Sequence, residues 1–404
     1  MLINFTIDNT TIVMAPILIG MAIICSMMSP FFRFRKPLDR SSADNQQEDG
    51  NNNEITDTAK RLPPLSVILT PHDEADQLDK HLPSILYQKY PAGFQVIVVI
   101  EKGQNQVEDT LTRIENNYKA NPADASLYIT YIPETSRYMS RKKLSITVGV
   151  KATVNEHVLL TEPCCKPSSS LWLQTMAAQL LTGNNFVIGY GAYCNEVSSF
   201  KRFQRLYTDF YLLREAKKGH PYRTQSYNIL FNKNAFMQQE GFRGSLNMCR
   251  GEYDFLVNKY ATRNVGLVTD HNAWMIEDAP SRKTWLNNHI FYLHTRRILK
   301  RGTRHRLWFN LDQIALHGNF ILEIAALVYG ILSANMVLAA VSCVAFLISF
   351  IIRTVLAHKA ARSFDEDIPA WSCFPYEISL VWHNLTYLAR YAKTNKLDFT
   401  THKQ

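Results

Sequence analysis

The sequence predicts an α/β protein: a mostly parallel sheet flanked by helices, with one membrane-spanning helix before it and two after it. Three observations carry that reading. Between Leu62 and Val268, short apolar runs alternate with stretches whose apolar residues recur at helical spacing. That is the pattern of βαβ units, whose right-handed crossovers give parallel strands. Residues 12–32 are almost wholly apolar and carry no charge, about the 20 residues a helix needs to cross hydrocarbon. Residues 320–332 and 336–352 are two further apolar runs around a tight Ser333-Ala334-Asn335 break, which reads as a helical hairpin through the bilayer.

Each element can be justified in turn. The opening, MLINFTIDNT, has no Lys or Arg, and basic residues follow the first apolar run in Arg33-Phe34-Arg35-Lys36. A cleaved signal peptide has the opposite order. Residues 1–38 are therefore expected to be a retained anchor, N-terminus outside and the remainder inside. Residues 39–61 are polar and poor in apolar side chains, as in a flexible linker. In 62–280, Leu65–Leu69 is a strand stopped by Thr70-Pro71, and residues 72–87 carry Leu78, Leu82, Ile85 and Leu86 at helical spacing. Strands follow at 95–100, 127–132 and 157–160, with helices at 107–118 and 142–153 between them. Beyond the fourth strand come a helix at 171–181, a strand at 185–190, and an aromatic-rich amphipathic helix at 200–217. A short strand at 229–231, a helix at 253–260, and 264–268 as the last strand of the domain complete it. Residues 281–318 interleave Arg and Lys with Trp285, Phe291, Tyr292, Trp308 and Phe309, as in a segment lying at the bilayer interface.

Residues 319–356 form the hairpin. Glu323 lies inside its first run and is expected to snorkel rather than act. Arg353, His358, Lys359 and Arg362 mark a cytosolic exit into a tail, 357–404, in which residues 371–391 have the look of a surface helix. Three crossings put the basic flanks and the soluble domain on one side, the cytosolic face of a cytoplasmic (inner) membrane.

Composition narrows the function. The formal charge is +9 over 404 residues, with much of the excess beside apolar runs, including Arg296–Arg306. Basic residues there fit membrane orientation and anionic headgroups, or a solvated basic face, better than nucleic acid. No zinc-finger, RNA-recognition or helix-turn-helix signature is present. The seven cysteines are scattered and form no CxxC pair, which argues against a disulfide framework and for a reducing compartment around the soluble part.

The stretch that organises the domain is Val158–Pro167, VLLTEPCCKP. Its apolar start makes a buried strand, and Pro163 ends the ladder. A carboxylate just past a central strand, here Glu162, stands where open α/β sheets place ligands. Adjacent Cys164 and Cys165 read as small buried residues, with no His or second Cys pair at zinc spacing.

Four stretches together resemble the membrane-anchored family 2 inverting glycosyltransferases. Ser66-Val67-Ile68-Leu69-Thr70-Pro71-His72-Asp73-Glu74-Ala75, with Leu82–Pro91 behind it, is similar to the opening strand, "P-x-[ND]-E" turn and "L-x-S-[IL]-x-x-Q-x-Y-P" helix of that family. Arg141–Ala152 is similar to the helix before the metal-binding turn, Leu159–Cys165 stands where the family has "LLTDADC", and Gly251–Val257 where it has an acidic helix start.

The resemblance implies a GT-A-type fold over about residues 65–294 and a nucleotide-sugar donor. It implies a lipid-linked or glycan acceptor near the membrane and Mg²⁺ or Mn²⁺ bridging the donor phosphates. It places Pro71, Glu74, Glu101, Lys143 and Glu162 at the nucleotide sugar, Glu162 also at the metal, and Asp254 or Glu252 as the base that takes the acceptor proton. The chain departs from the pattern at each chemical position. Glu162 replaces the first Asp of the turn, Cys164 replaces the second, and a soft thiol suits a hard cation poorly. Glu101 replaces an Asp, Tyr253 stands where the base usually falls, and the donor-covering "Q-x-x-R-W" segment is not recognisable near Asn288–Tyr292. Plainer readings stay open: Glu74 and Glu101 as surface or helix N-terminal acids, Lys142 and Lys143 as ordinary helix cations, Asn228 as core packing. A catalytically silent relative that scaffolds glycan assembly is the alternative to an enzyme.

Overall fold

The computed structural model describes residues 7–33, 61–132, 140–262 and 264–400. Residues 39–60 of the expected linker and the basic residues Arg35 and Lys36 lie outside them. The chain divides into two compact units, one built from segments 198–214 and 302–387 with the start of the chain, the other from the segments between and residues 388–400.

The larger unit holds a seven-stranded sheet in the order β3-β2-β1-β4-β8-β6-β9. Its strands are β1 (Leu65–Leu69), β2 (Phe94–Glu101), β3 (Ala125–Ile132), β4 (His157–Leu160), β6 (Phe186–Gly189), β8 (Ile229–Asn232) and β9 (Val265–Val268). Leu65 pairs in parallel with Phe94 on one side and His157 on the other, while β8 alone runs antiparallel, to both β4 and β6. Strands β1 and β2 are buried along their whole length, as central strands covered on both faces must be. Successive residues take opposite faces: Val67, Leu69, Val96 and Val98 join one core with Trp172 and Met176, whereas Ile68, Ile97 and Val99 join another with Ile146 and Val150.

The helices follow from the same logic. After α1 (Asn9–Met27) and α2 (Pro30–Arg33) come α3 (Ala75–Leu86), α4 (Asn105–Ala120) and α5 (Arg141–Ala152). Helix α3 buries Leu78, Leu82, Ile85 and Leu86, its expected stripe. Helix α5 is capped by Ser140, whose side chain accepts from Lys143 N, and lies flat on the sheet at Gly149. A Cβ at Gly149 would sit 2.8 Å from Ile68 Cγ2 and 3.2 Å from Val99 Cγ2, so only glycine allows that approach. The unit continues with α6 (Trp172–Ala178), the end of α7 (Ser199–Lys217), α8 (Lys233–Gln238), α9 (Glu252–Tyr260) and α10 (Arg282–Thr295).

A second, three-stranded sheet was not expected. Strands β5 (Cys165–Pro167), β10 (Met275–Glu277) and β7 (Gly191–Tyr193) pair in the order β5-β10-β7. Residues 264–268 are therefore not the last strand; three-residue strands are too short to show a period of two. Asn228 is core structure. It is fully buried, accepts from Trp172 Nε1 at 3.0 Å and donates to Ala273 O at 2.7 Å.

The other unit contains three helices long and apolar enough to cross a membrane: α1, α11 (Gly302–Leu332) and α12 (Met336–Ser363). Leu18 and Ala22 of α1 pack with Ala326 of α11 and with Leu338 and Ala345 of α12. Between the hairpin arms, Asn335 caps α12 by accepting from Leu338 N at 3.0 Å and donates to Thr11 Oγ1 at 2.8 Å. A Cβ on Gly330 would meet Ala339 N at 2.8 Å, which is why the arms can come so close.

Three expectations change here. The first arm begins at Gly302, because the basic residues before Phe320 already wind as helix. Glu323 does not snorkel; it is buried and accepts from Asn319 Nδ2 at 2.7 Å and Ser349 Oγ at 3.0 Å, partners that make burial tolerable. Arg353 marks no exit. It is buried, donating to Asp312 Oδ1 at 3.1 Å, to Glu377 Oε1 at 2.7 Å and to Cys25 O at 2.6 Å. Glu377 comes from α13 (Ala370–Lys393), whose other face exposes Trp371, Trp382 and Leu385.

Candidate functional site

The site lies in the larger unit, where β1, β2 and β4 end side by side. Parallel pairing puts all three C-terminal ends on one edge, the edge where open sheets bind ligands. From β1 the chain turns through buried Pro71 and exposed Asp73, whose φ of 56° is left-handed, into Glu74, the residue before α3. From β2 comes Glu101, nearly buried and paired with Arg141 Nη1 at 3.2 Å. From β4 comes Glu162, held in a tight turn closed by Cys165 N donating to Glu162 O at 3.1 Å.

Glu162 forms an ion pair with Lys142. The same ammonium donates to Thr70 O at 2.8 Å, tying the ends of β1 and β4 together. Burial pushes the Glu162 carboxyl up to about 7; Lys142 pulls it down and the nearby Glu74 carboxylate adds to the rise. Burial pulls on Lys142 in the opposite sense, but Glu162 and Glu74 outweigh it and hold its pKa above the ordinary lysine value.

Helix α9 closes the site from the other side. It starts at Gly251, whose φ is 92° and where a Cβ would lie 2.5 Å from Thr295 Cγ2. Its first three residues fan out around the axis. Glu252 is buried, accepts from Ser140 Oγ at 3.4 Å and raises the pKa of Lys142. The Tyr253 ring packs edge-on to Tyr227, 5.0 Å between centroids. Its hydroxyl faces Glu162 electrostatically but makes no hydrogen bond of good geometry. Asp254 faces Arg223, 3.7 Å away. Burial raises its carboxyl to about 6, with the Arg223 charge and the Thr224 backbone acting to lower it. The guanidinium of Arg223 stacks 3.8 Å over Tyr292, and Arg250 stacks over Phe291 while donating to Asn288 Oδ1. Residues 288–292 thus brace two arginines at this end of α9.

The structure brings Glu74, Glu162 and Glu252 around Lys142. Asp254 turns toward Arg223 instead. Lys143, expected at the nucleotide, is fully buried with its ammonium donating to Ser245 O at 2.7 Å and Met248 O at 2.6 Å. It fastens the loop ahead of Gly251, and Lys142 is the lysine at the strand ends. The sequence signal for this was the Arg141-Lys142-Lys143 run at a helix start, but which of its cations faces the sheet edge depends on helix rotation.

The residues do not fit a hard divalent cation. Among the described residues no three His, Cys, Asp or Glu side chains cluster as a metal site. One Glu162 oxygen is taken by an ammonium. The Cys164 thiol, despite its contact with Cys165, is pushed up by burial and nearby carboxylates, and so stays protonated. Thr70 and Thr161 present buried hydroxyls with no hydrogen-bond partner at this edge.

No protein-family model matches the chain, and no curated relative matches it. Among solved structures, it is similar to the mannosyltransferase PcManGT from Pyrobaculum calidifontis in complex with GDP-Man and Mn2+, at 15% identity and a TM-score of 0.48 over 93% of this chain and 97% of that one. It is also similar to S. aureus TarS 1-349 in complex with UDP-GlcNAc, at 13% identity and a TM-score of 0.41 over 79% and 92%. At such identities and scores these likenesses assign neither a family nor an activity.

Proposed function

We propose that the chain is a membrane-bound glycosyltransferase. It would take a sugar from a nucleotide-sugar donor to a lipid-linked or glycan acceptor at the cytosolic face of the cytoplasmic membrane. The observation that carries this reading is the gathering of Glu74, Glu162, Glu252 and Lys142, with unpartnered Thr70 and Thr161 hydroxyls, at the ends of three parallel strands. Three apolar helices in the other unit support the membrane setting. The chemistry would be a displacement at the anomeric carbon. The bond to the diphosphate oxygen breaks with its electron pair, the acceptor hydroxyl oxygen bonds from the opposite face, and a carboxylate at the start of α9 takes its proton. Glu252 and Asp254 are the two acids available there.

One observation favours the silent relative: of the first residues of α9 it is Tyr253 that faces Glu162, while Asp254 is engaged with Arg223. Hydrolysis of UDP-sugars and GDP-sugars by the detergent-solubilised protein separates the two. The enzyme reading expects turnover that drops at least tenfold in Glu162→Ala and in Glu252→Ala or Asp254→Ala. Nucleotide binding with no turnover in the parent leaves only the scaffold.

A further inference from the structure

The turn after β4 presents one carboxylate, Glu162, and that carboxylate is already paired with an ammonium. Lys142 reaches Glu162 from the second residue of α5 and also donates to Thr70 O at 2.8 Å. Its side chain is half-buried while that of Glu162 is buried, so of the pair it is the lysine side chain that meets solvent. An ammonium has three N–H donors. Glu162 and Thr70 take two, which leaves one for a phosphate oxygen. At the same strand ends, Thr70 and Thr161 have buried hydroxyls without partners. Buried hydroxyls are costly to leave unpaired.

Resting on the glycosyltransferase reading above, we propose that the Lys142 ammonium stands in for a divalent cation and that this site binds the diphosphate of a nucleotide sugar without metal. Lysine is a point charge suited to phosphate, and it is fixed here before the ligand arrives. As the anomeric carbon–oxygen bond breaks, the electron pair stays on the diphosphate oxygen and Lys142 neutralises it with no proton transferred. The acceptor oxygen forms the new bond and gives its proton to a carboxylate. Glu162 then acts as a positioning residue, holding the ammonium between the two strand ends. The Glu162 and Cys164 replacements belong together on this view: a turn that no longer holds a metal has no need of a second hard ligand.

The test uses the full chain in detergent and titration calorimetry with UDP and with GDP, in EDTA and in excess Mn²⁺. The expected result is binding of at least one nucleotide with a Kd in EDTA within about twofold of that in Mn²⁺. Lys142→Met should weaken it at least tenfold, about 1.4 kcal/mol, and Lys142→Arg, which keeps the charge, should recover most of the loss. Should Lys142→Met fail to fold, Mn²⁺ paramagnetic resonance on the parent without nucleotide supplies an independent reading: only the free-ion signal is expected. Binding that requires Mn²⁺, or a bound-ion signal in the parent, overturns the inference and leaves the nucleotide-sugar reading standing. Binding of neither nucleotide in either condition overturns both.

Discussion

Replacing Gly251 by alanine strikes the point on which the acidic helix start is hung. Two costs are separable. The backbone φ of 92° lies where L-residues are strained, worth roughly 1–2 kcal/mol. The added Cβ would also meet Thr295 Cγ2 at 2.5 Å and Oγ1 at 3.0 Å, and overpacking of this kind costs about 1–3 kcal/mol. Thr295 cannot simply swing away, because its hydroxyl donates to Phe291 O at 3.0 Å. Gly251→Ala should therefore lose roughly 2–5 kcal/mol and lower the melting temperature of the solubilised protein by roughly 5–15 °C. Thr295→Ser removes Cγ2 and keeps the hydroxyl, so Gly251→Ala/Thr295→Ser should regain the share due to Cγ2, leaving the Oγ1 contact and the backbone cost. Scanning fluorimetry on the parent, both single variants and the double closes the cycle. A Gly251→Ala melting point within about 1 °C of the parent, or a double variant no better than the single, would refute the account.

Three further outcomes follow from the geometry. Lys143→Met should leave Ser245 O and Met248 O without their donor, costing roughly 2–4 kcal/mol in denaturant titration. Asp254 has its carboxyl raised from 3.8 to about 6 by burial. The folded state therefore holds the proton more tightly, and the contribution is fully present below pH 3.8. It is lost as pH rises through about 6, by at most about 3 kcal/mol, and Asp254→Asn should flatten the melting-temperature profile across that window. Arg353→Met leaves Asp312 and Glu377 buried without their shared cation and should cost roughly 3–5 kcal/mol; Arg353→Met/Glu377→Leu, read by the same thermal assay, should be milder than the single change.

The central strands were legible because Val67–Leu69 and Val96–Ile100 are unbroken apolar runs, the mark of strands buried on both faces. The apolar hairpin was legible for an equally local reason, its length. Strands β5, β7 and β10 were not, since three residues carry no period and Cys165–Pro167 pairs with residues more than a hundred positions away. The helix start at Gly302 was hidden by its basic first turns. Glu323 and Arg353 looked like residues heading for water because their partners, Ser349 and Glu377, lie on later helices. At the site, the turn at Glu162 was readable from Pro163 and the strand before it. Which lysine meets it was not, because neighbouring helical residues point about 100° apart and only the docking of α5 through Gly149 selects Lys142.

The Arg353 cluster has a bearing on how the protein is made. Its three charges come from α11, α12 and α13, so each helix released alone into lipid would drag in a bare ion and its water. The hairpin can shed that water only when Glu377 arrives. Translation reaches Glu377 only after both hairpin arms have been synthesised. Until then the two arms should remain partly hydrated and loosely joined, and final tightening of the bundle would be among the last events of biogenesis.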